Sequence, residues 1–412
     1  MKYGCIGEKL SHSFSREIHS LLADYPYQLC EIARDELDSF MKAASFSAIN
    51  VTIPYKEAVI PYLDEIDEHA RVIGAVNTIV NRNGKLYGFN TDFYGMLSLI
   101  EHTGIDVCGK KALVLGSGGT SKTARAILSY LGASEIITVG RVAKGGVVDY
   151  EKAEKEHSDA KIIVNTTPVG MYPNADACPI DLGLFESVEG VLDAIYNPLR
   201  TKLILDAKKR GIKAEGGLYM LVAQGVRASE IFLDTTYPEG TVEKIYKRIL
   251  AEKENIVLIG MPSSGKSTVG RMLGERLQRE FLDTDELIVS EEGRDIPSIF
   301  RELGEGEFRE IECRIVNNCS HLNCKILATG GGVVLNPLNI DRLRQNGKIY
   351  FIDRPLELLV PTDDRPLASD RRAIEKRFAE RYELYLSRSD RRIVADKDAP
   401  SVAEEIIKDF YS

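Results

Sequence analysis

The 412-residue sequence predicts an α/β protein with parallel sheets, divided into two units of different fold. Three observations predict it. Short β-branched runs recur, each followed by glycine and a helix-like stretch, as in Lys111–Leu115 before Gly116 and Asn255–Ile259 before Gly260. The length exceeds what one core organises, at roughly 100–200 residues per domain. A fresh apolar strand also begins directly after an amphipathic stretch that ends near Lys253. No period of about 20–50 residues repeats, which excludes a solenoid or propeller.

Composition narrows the class. A 44% hydrophobic and 28% charged chain with 34 Gly and 15 Pro is ordinary folded-protein usage. The net charge of −9 attracts neither nucleic acid nor an anionic membrane, so anionic ligands must be caught locally. The stretch from Met1 to Ser13 lacks the apolar core of a secretion signal, and no uncharged run is long enough to span a bilayer, so a cytoplasmic location is expected. The seven cysteines are odd in number and scattered, without a C-x-x-C pair, and are expected to be reduced and mostly buried. Cys319 and Cys324 flank His321, the nearest approach to a metal-ligand spacing, and are read as packing residues.

Along the chain, residues 1–102 are expected to form a first lobe, 103–235 a dinucleotide lobe and 236–252 a linker helix, with 253–412 as the second unit. Lys111–Leu131 reads as strand, then GSGGTSK, then helix. Gly116, Gly118 and Gly119 supply a tight turn and close phosphate approach, although Ser121 takes the third glycine place of G-x-G-x-x-G. The next strand, EIITV, ends at Gly140 and Arg141, where an NAD enzyme presents an acidic residue to the ribose; an arginine there favours a 2′-phosphate, hence NADP. The cleft between lobes is the natural site. Pro238 and Gly240 then give turn chemistry before one amphipathic helix.

GMPSSGKST, Gly260–Thr268, fits G-x-x-x-x-G-K-[ST] and lies between the strand NIVLI and the helix VGRMLGERL. Backbone N–H groups from Ser263, Ser264, Gly265 and Thr268 would face the phosphates, Lys266 would reach the β and γ oxygens, and the Ser267 hydroxyl would ligate Mg²⁺. P-loops serve GTPases, motors and small-molecule kinases alike, so this loop alone leaves the substrate open.

The residues that follow are FLDTDELI, GEGEFREIE, LATGGGVV, DDRPL and AERYELY, and in this order they resemble shikimate kinase. The resemblance implies a P-loop, nucleoside-monophosphate-kinase-like α/β domain that uses ATP. It implies that Asp283 joins Ser267 around Mg²⁺ and that Asp285 holds the substrate hydroxyls and orients or deprotonates the attacking one. Arg309 and Arg381 would clamp the substrate carboxylate, because guanidinium forks match a planar carboxylate. Gly330, Gly331 and Gly332 would admit the ring, and Arg365 would come from a lid onto the transferring phosphoryl group. Two departures stand out: the family's RPLL reads Arg-Pro-Leu-Ala here, and its acidic tail after the tyrosine is replaced by Ser387, Arg388 and Ser389.

The first half carries LSHSFS (10–15), NVTIPYK (50–56), GAVNT (74–78), GFNTDFYG (88–95), VNTTPVGM (164–171), DAIYNPLRTKL (193–203) and GGLYMLVAQG (216–225). These look like the shikimate dehydrogenase family, which implies a substrate lobe followed by a Rossmann-like NADP lobe. Carried over, Ser13 and Ser15 would bind the substrate carboxylate, and Thr52, Asn77, Asp92 and Gln224 its hydroxyls. Lys56 with Asp92 would be the acid/base pair: hydride delivery to a ketone leaves an oxyanion, which a proton-donating lysine stabilises. Tyr196, Ile195 and Gly217 would line the junction of cofactor and substrate. Gly116, Ser117, Gly118, Gly119 and Thr120 with Arg141 would hold the cofactor phosphates. Arg16 replaces the family's proline, and the usual Asn-Arg-Thr reads Gly140, Arg141, Val142, which leaves NAD as the alternative cofactor. Taken alone, Lys56 is one of 53 Lys and Arg residues and reads as a solvated group, while Ser13 and Ser15 also fit as caps of a helix beginning near Arg16.

Together the two resemblances imply a fusion that reduces 3-dehydroshikimate to shikimate with NADPH and phosphorylates shikimate from ATP with Mg²⁺. Two alternatives stay open: one module is a non-catalytic shikimate sensor, or it acts on quinate or another small polyol. A sensor would be expected to lack Lys56, Asp92, Lys266 or Asp285, and all four are present. Partners are expected to be these small molecules, with neither nucleic acid nor membrane, and a homodimer stays open.

Overall fold

The computed structural model describes residues 1–10, 14–361 and 370–412. The chain divides into two compact units, Met1–Ile249 and Leu250–Ser412.

The first unit holds two sheets. One is built from β1 (Tyr3–Gly7), β2 (Tyr27–Glu31), β3 (Ala48–Val51), β4 (Glu65–Ile66), β5 (Thr78–Arg82) and β6 (Lys85–Phe89), in the order β2-β1-β3-β5-β6-β4. β1, β2 and β3 pair in parallel, but β3 with β5 and β5 with β6 run antiparallel. The sheet of this lobe is therefore mixed, its parallel part joined to an antiparallel hairpin. Asn83 and Gly84 both adopt positive φ, 57° and 87°, the conformation of a tight two-residue hairpin that turns the chain straight back. Helices α1 (Ser15–Leu22), α2 (Leu37–Ala43), α3 (Glu68–Ile73) and α4 (Thr91–Thr103) accompany this sheet.

The other sheet contains β7 (Lys111–Leu115), β8 (Glu135–Val139), β9 (Val147–Val148), β10 (Ile162–Asn165), β11 (Gly190–Asp193) and β12 (Lys213–Glu215), in the order β12-β11-β10-β7-β8-β9. Every pairing in it is parallel. Counted from β7 the order is the doubly wound 3-2-1-4-5-6, whose switch point between β7 and β10 opens a crevice at the strands' C-terminal ends. Helices α5 (Gly119–Tyr130), α6 (Tyr150–Glu156), α7 (Lys202–Lys209), α8 (Leu218–Leu233) and α9 (Thr241–Lys253) follow. α8 leads back to the first lobe, where Ala228 and Phe232 share a core with Cys5, Tyr27 and Ala48. Its crossing with α4 is close because Gly95 lacks a side chain: a Cβ there would lie 2.6 Å from the Met220 carbonyl oxygen.

The second unit is one parallel sheet of β13 (Asn255–Ile259), β14 (Phe281–Asp283), β15 (Ile326–Ala328), β16 (Gly347–Asp353) and β17 (Arg391–Val394), in the order β14-β15-β13-β16-β17. Its helices are α10 (Lys266–Leu277), α11 (Thr284–Glu292), α12 (Ile296–Ser320), α13 (Pro337–Asn346), α14 (Arg371–Arg388) and α15 (Ala399–Phe410). α12 is broken at Gly304, where φ is 83°. Alternate residues of β13 and β16 supply two cores: Val257, Ile259, Ile349 and Phe351 on one face, Ile256, Leu258, Tyr350 and Ile352 on the other.

The boundary expected near Lys253 is the end of α9, while the division of the backbone falls inside that helix. The reason lies in its side chains. Tyr246 packs edge-on against His102 and Tyr219 of the first unit, whereas the Ala251 carbonyl accepts from Arg279 of the second. Cys319 lies in the second unit's core, and burial pushes its thiol up to about 11. Among the described residues, no three His, Cys, Asp or Glu side chains converge in a metal-holding group, and no helix is long and apolar enough to cross a membrane.

Candidate active sites

In the first unit, Lys56 and Asp92 meet. Lys56 lies in the turn after β3, and its backbone carbonyl is fixed by the Val76 N–H at 2.8 Å. Asp92 sits in the first turn of α4, which Asn90 caps through a side-chain bond to the Phe93 N–H. Lys56 Nζ donates to Asp92 Oδ2 at 2.5 Å, with the side chains 18% and 12% exposed. This is a shielded ion pair open at one edge, not a solvated surface lysine.

Around the pair runs a lattice of neutral side chains. Asn77 Oδ1 accepts from the Thr91 N–H at 2.7 Å and from the Thr78 hydroxyl at 3.1 Å, which turns its donating NH₂ end away from these partners. The Thr91 hydroxyl also reaches Gln224 Oε1 at 3.3 Å, and Gln224 Nε2 donates to the Leu221 carbonyl. Two carboxamides from β5's approach and α8 are thus set against one another through a single threonine. Asn50 adds bonds to Thr78 and the Asn77 carbonyl and accepts from the Tyr27 hydroxyl at 2.7 Å. Sequence reasoning named Asn77 and Gln224 but missed Asn50, Thr78 and Thr91. The last two stand directly beside Asn77 and Asp92 in the stretches GAVNT and GFNTDFYG, and that adjacency was the available signal.

Thr52 follows β3, with its N–H on the Ile6 carbonyl. Ser13 lies outside the described residues. Ser15 opens α1, directly after Phe14 at the cap position. Phe14 brings this segment to Tyr196, ring centroids 5.3 Å apart. Burial is the first cause that pushes the Tyr196 hydroxyl above its usual range. The Ile195 carbonyl accepts from the Gly217 N–H at 2.8 Å, which binds this turn to the start of α8.

The dinucleotide expectation falls at the switch point. Gly116 has φ 105°, and a Cβ on it would come within 2.8 Å of Thr166 Oγ1. Ser117 follows, then Gly118 as the start of α5 with no capping side chain; nothing lies within 4 Å of a Cβ on Gly118 or Gly119. With Thr120 in that first turn, the uncapped N–H groups and the open face fit a pyrophosphate. Arg141 is exposed two residues beyond β8, at the edge where an adenosine ribose would sit.

In the second unit the P-loop leaves β13 through Gly260 and enters α10 through Gly265, at φ 151° and 94°. Lys266 Nζ is buried and donates to the Gly260 and Met261 carbonyls at 3.0 and 2.8 Å. The hydroxyls of Ser263 and Ser264 are buried without a partner, and Thr268 lies in the first turn of α10. An anion-shaped loop with orphaned donors fits phosphate. The Ser267 hydroxyl donates to Asp283 Oδ2 at 2.6 Å, an all-oxygen donor pair suited to Mg²⁺. Asp283 also caps α11 through the Asp285 N–H.

The remaining residues close on one another. A Cβ on Gly330 would meet Asp285 Oδ1 at 2.6 Å and Glu312 Oε1 at 3.1 Å; one on Gly331 would meet the Pro262 ring at 2.9 Å, and one on Gly332 would overlap the Arg309 guanidinium. Arg381 Nη1 and the Tyr385 hydroxyl both donate to the Gly331 carbonyl. Arg309 pairs with Glu312 at 2.9 Å and Glu305 at 3.0 Å. Burial works against the Arg309 charge, but these carboxylates outweigh it and hold it above its usual range. Glu312, whose side chain is 1% exposed, is pushed up by burial against the pull of Arg309. Glu312 and Tyr385 were missed as site residues, although both stand in the stretches that carried Arg309 and Arg381. Arg365 lies outside the described residues.

Comparison with known proteins agrees with this geometry. The shikimate dehydrogenase substrate-binding domain profile matches residues 5–79, and the shikimate kinase profile matches residues 262–411. The NADP(+)-dependent shikimate dehydrogenase of Clostridium perfringens is 38% identical over 271 residues, covering 60% of this chain and 97% of that protein. Shikimate dehydrogenase 1 of Peptoclostridium difficile superposes with a TM-score of 0.56 at 36% identity, over 60% of this chain and 98% of that one. The shikimate 5-dehydrogenase of Thermus thermophilus, solved in complex with NADP(H) and shikimate, gives 0.54 at 30% identity over 60% and 99%.

Proposed function

Because the chain belongs to the shikimate dehydrogenase family and carries a shikimate kinase domain behind it, we propose that it runs two consecutive reactions. Residues 1–252 reduce 3-dehydroshikimate to shikimate with NADPH, and residues 253–412 phosphorylate shikimate from ATP to shikimate 3-phosphate, in the cytoplasm. The observation that carries the reading is the shielded Lys56–Asp92 pair beside the Asn77–Thr91–Gln224 lattice.

NADPH supplies the hydride. Lys56 donates a proton or a strong hydrogen bond to the oxygen that becomes negative, and Asp92 holds the Lys56 side chain in place. Asn77, Gln224 and Thr52 meet the ring hydroxyls, Ser13 and Ser15 the carboxylate, and Tyr196, Ile195 and Gly217 bound the junction of the two ligands. Gly116–Thr120 hold the pyrophosphate and Arg141 the 2′-phosphate. In the second unit ATP supplies the phosphoryl group; Ser267 and Asp283 would hold the Mg²⁺, which would meet the charge on the phosphates. Ser263–Thr268 cradle the phosphates, Lys266 follows the charge as it moves, Asp285 orients the attacking hydroxyl, and Arg309 with Arg381 fixes the carboxylate above Gly330–Gly332. Arg365 would meet the charge on the transferring phosphoryl group. The ketone oxygen that becomes a hydroxyl in the first reaction would be the one phosphorylated in the second.

The test supplies 3-dehydroshikimate and Mg·ATP with NADPH or NADH, following nicotinamide absorbance and ADP release together. ADP that appears only as NADPH is consumed is the expected result. Cofactor oxidation without ADP, even when shikimate is added directly, would make the second unit a sensor or a kinase for another polyol.

A further inference from the structure

Asp193 is fully buried at the end of β11, and the chemistry above does not use it. Its carboxylate gathers three donors from three parts of the chain. Oδ1 accepts from Asn165 Nδ2 at 3.1 Å and from the Ile195 N–H at 3.0 Å, and Oδ2 accepts from the Thr201 hydroxyl at 2.7 Å. Asn165 ends the neighbouring strand β10 and is itself held at its Oδ1 by the Thr167 N–H and hydroxyl at 3.0 and 2.7 Å. Thr201 caps α7. None of the three partners carries a charge, so an anion is buried on hydrogen bonds alone, and burial pushes this carboxyl up to about 6 against their pull.

Only a carboxylate accepts on both oxygens; an amide offers one acceptor and puts an N–H where another donor already points. The place matters as much as the chemistry. Asp193 lies at the C-terminal ends of the parallel strands beside the switch point, and the turn it holds is Ile195–Tyr196. That turn is pinned a second time by the Gly217 N–H at the start of α8, the helix that carries Gln224.

We propose that Asp193 is a positioning residue of the reduction, whose three-donor grip sets the Ile195–Tyr196 turn against the cofactor and substrate. This rests on the dehydrogenase reading of the first unit. An amide in its place leaves one of these donors facing an N–H, so the turn loses its aim, and the loss in rate has to be read beside the loss in stability.

The experiment uses the full chain with Asp193→Asn. Shikimate oxidation by NADP⁺ is expected to lose about 10- to 100-fold in kcat, as small misplacements of reacting groups do. The KM for shikimate should change far less, and the loss in kcat should exceed what the unfolded fraction at the assay temperature accounts for. Kinase turnover of the same molecules counts the full-length chains through the second unit, and urea unfolding of the first unit gives its folded fraction. An Asp193→Asn protein with parental kcat, or one whose loss follows its unfolded fraction, would overturn the inference while an active parent leaves the dehydrogenase reading standing; an inactive parent would sink both. Should that variant fail to accumulate, Thr201→Ser and Thr201→Val decide: Ser keeps the donor and should keep kcat, Val removes it and should lower kcat, and equal rates in the two would overturn the proposal.

Discussion

The two candidate sites of this chain are built from opposite materials. In the first unit, neutral amides and hydroxyls from Asn50, Asn77, Thr78, Thr91 and Gln224 satisfy one another around a single ion pair. In the second, glycine backbone and charged groups dominate, and Ser263 Oγ, Ser264 Oγ, Glu312 Oε1 and Arg381 Nε are buried without a hydrogen-bond partner. A lattice complete before the ligand arrives recognises hydroxyls by shape and donor order. The donors among these buried groups, the two serine hydroxyls and Arg381 Nε, gain partners when an anion binds. The second unit should therefore be stabilised more by its ligands than the first.

The largest expected effect separates the two. Lys56→Ala should lower reduction by about 10²- to 10⁴-fold, the usual worth of a positioned proton donor, with kinase turnover intact. Lys266→Ala should lower phosphorylation by a similar order and leave reduction alone. Steady-state rates of both reactions on each variant are the measurement, and loss of both activities in either would contradict two independent sites.

Next comes the difference between neutral and charged construction. Arg309→Leu strands the buried Glu312, and removing one member of such a pair costs about 3–5 kcal/mol. Arg309→Leu with Glu312→Leu should recover much of that in denaturant unfolding while shikimate phosphorylation stays impaired in both. No recovery in the double variant would mean that the pair is not the source of the loss.

How much of this was legible in the sequence follows sequence separation. The P-loop and the GSGGT turn are local patterns, and the elements stand where the patterns put them. Asn77, Asp92 and Gln224 were readable only through the resemblance, because the lattice joins residues 14 and 133 positions apart. Asp193 carried no signal of its role, since its donors come from two strand ends and a helix cap. The antiparallel hairpin of the first sheet is written locally in Asn83 and Gly84, a turn pattern separate from the βα alternation that runs through the rest of the chain.

Acid separates the units by a smaller amount. His19 of α1 stacks on Tyr27 at 3.9 Å between centroids, with Nδ1 2.5 Å from the Tyr25 hydroxyl, and burial lowers its pKa to about 3. A group depressed in the fold contributes stability that is complete above its unfolded pKa, near 6.5, and is lost as pH falls toward 3. Asp193, raised to about 6, works in the opposite sense between pH 6 and about 4, so the parent's pH curve mixes both. The difference between parent and His19→Gln isolates the histidine. Urea unfolding of the first unit should show the variant's disadvantage shrinking by about 3 kcal/mol from about pH 7 to about pH 4, because each tenfold difference in proton affinity between folded and unfolded chain is worth about 1.4 kcal/mol. Glu312, raised by burial, has the opposite sign to His19, so the second unit should not share this loss.

The smallest expected effect tests the least anchored residue of either site. Arg141 is exposed, and the polar neighbours that the resemblance would place beside it are Gly140 and Val142, the latter 72% exposed. Lys144 stands three residues on in the same exposed loop. A charge-assisted bond is worth about 1.5–3 kcal/mol, and solvent at an open loop holds it to the lower end. Arg141→Gln should therefore raise the KM for NADPH about tenfold and leave that for NADH nearly unchanged, with Lys144→Gln giving less. Equal changes for both cofactors would place the 2′-phosphate elsewhere. A much larger loss would mean that the loop closes over the cofactor and shields the pair from water. Neither outcome touches the second unit, whose phosphate grip is buried, so the contrast between the two nucleotide sites lies in solvent access rather than in the number of charges.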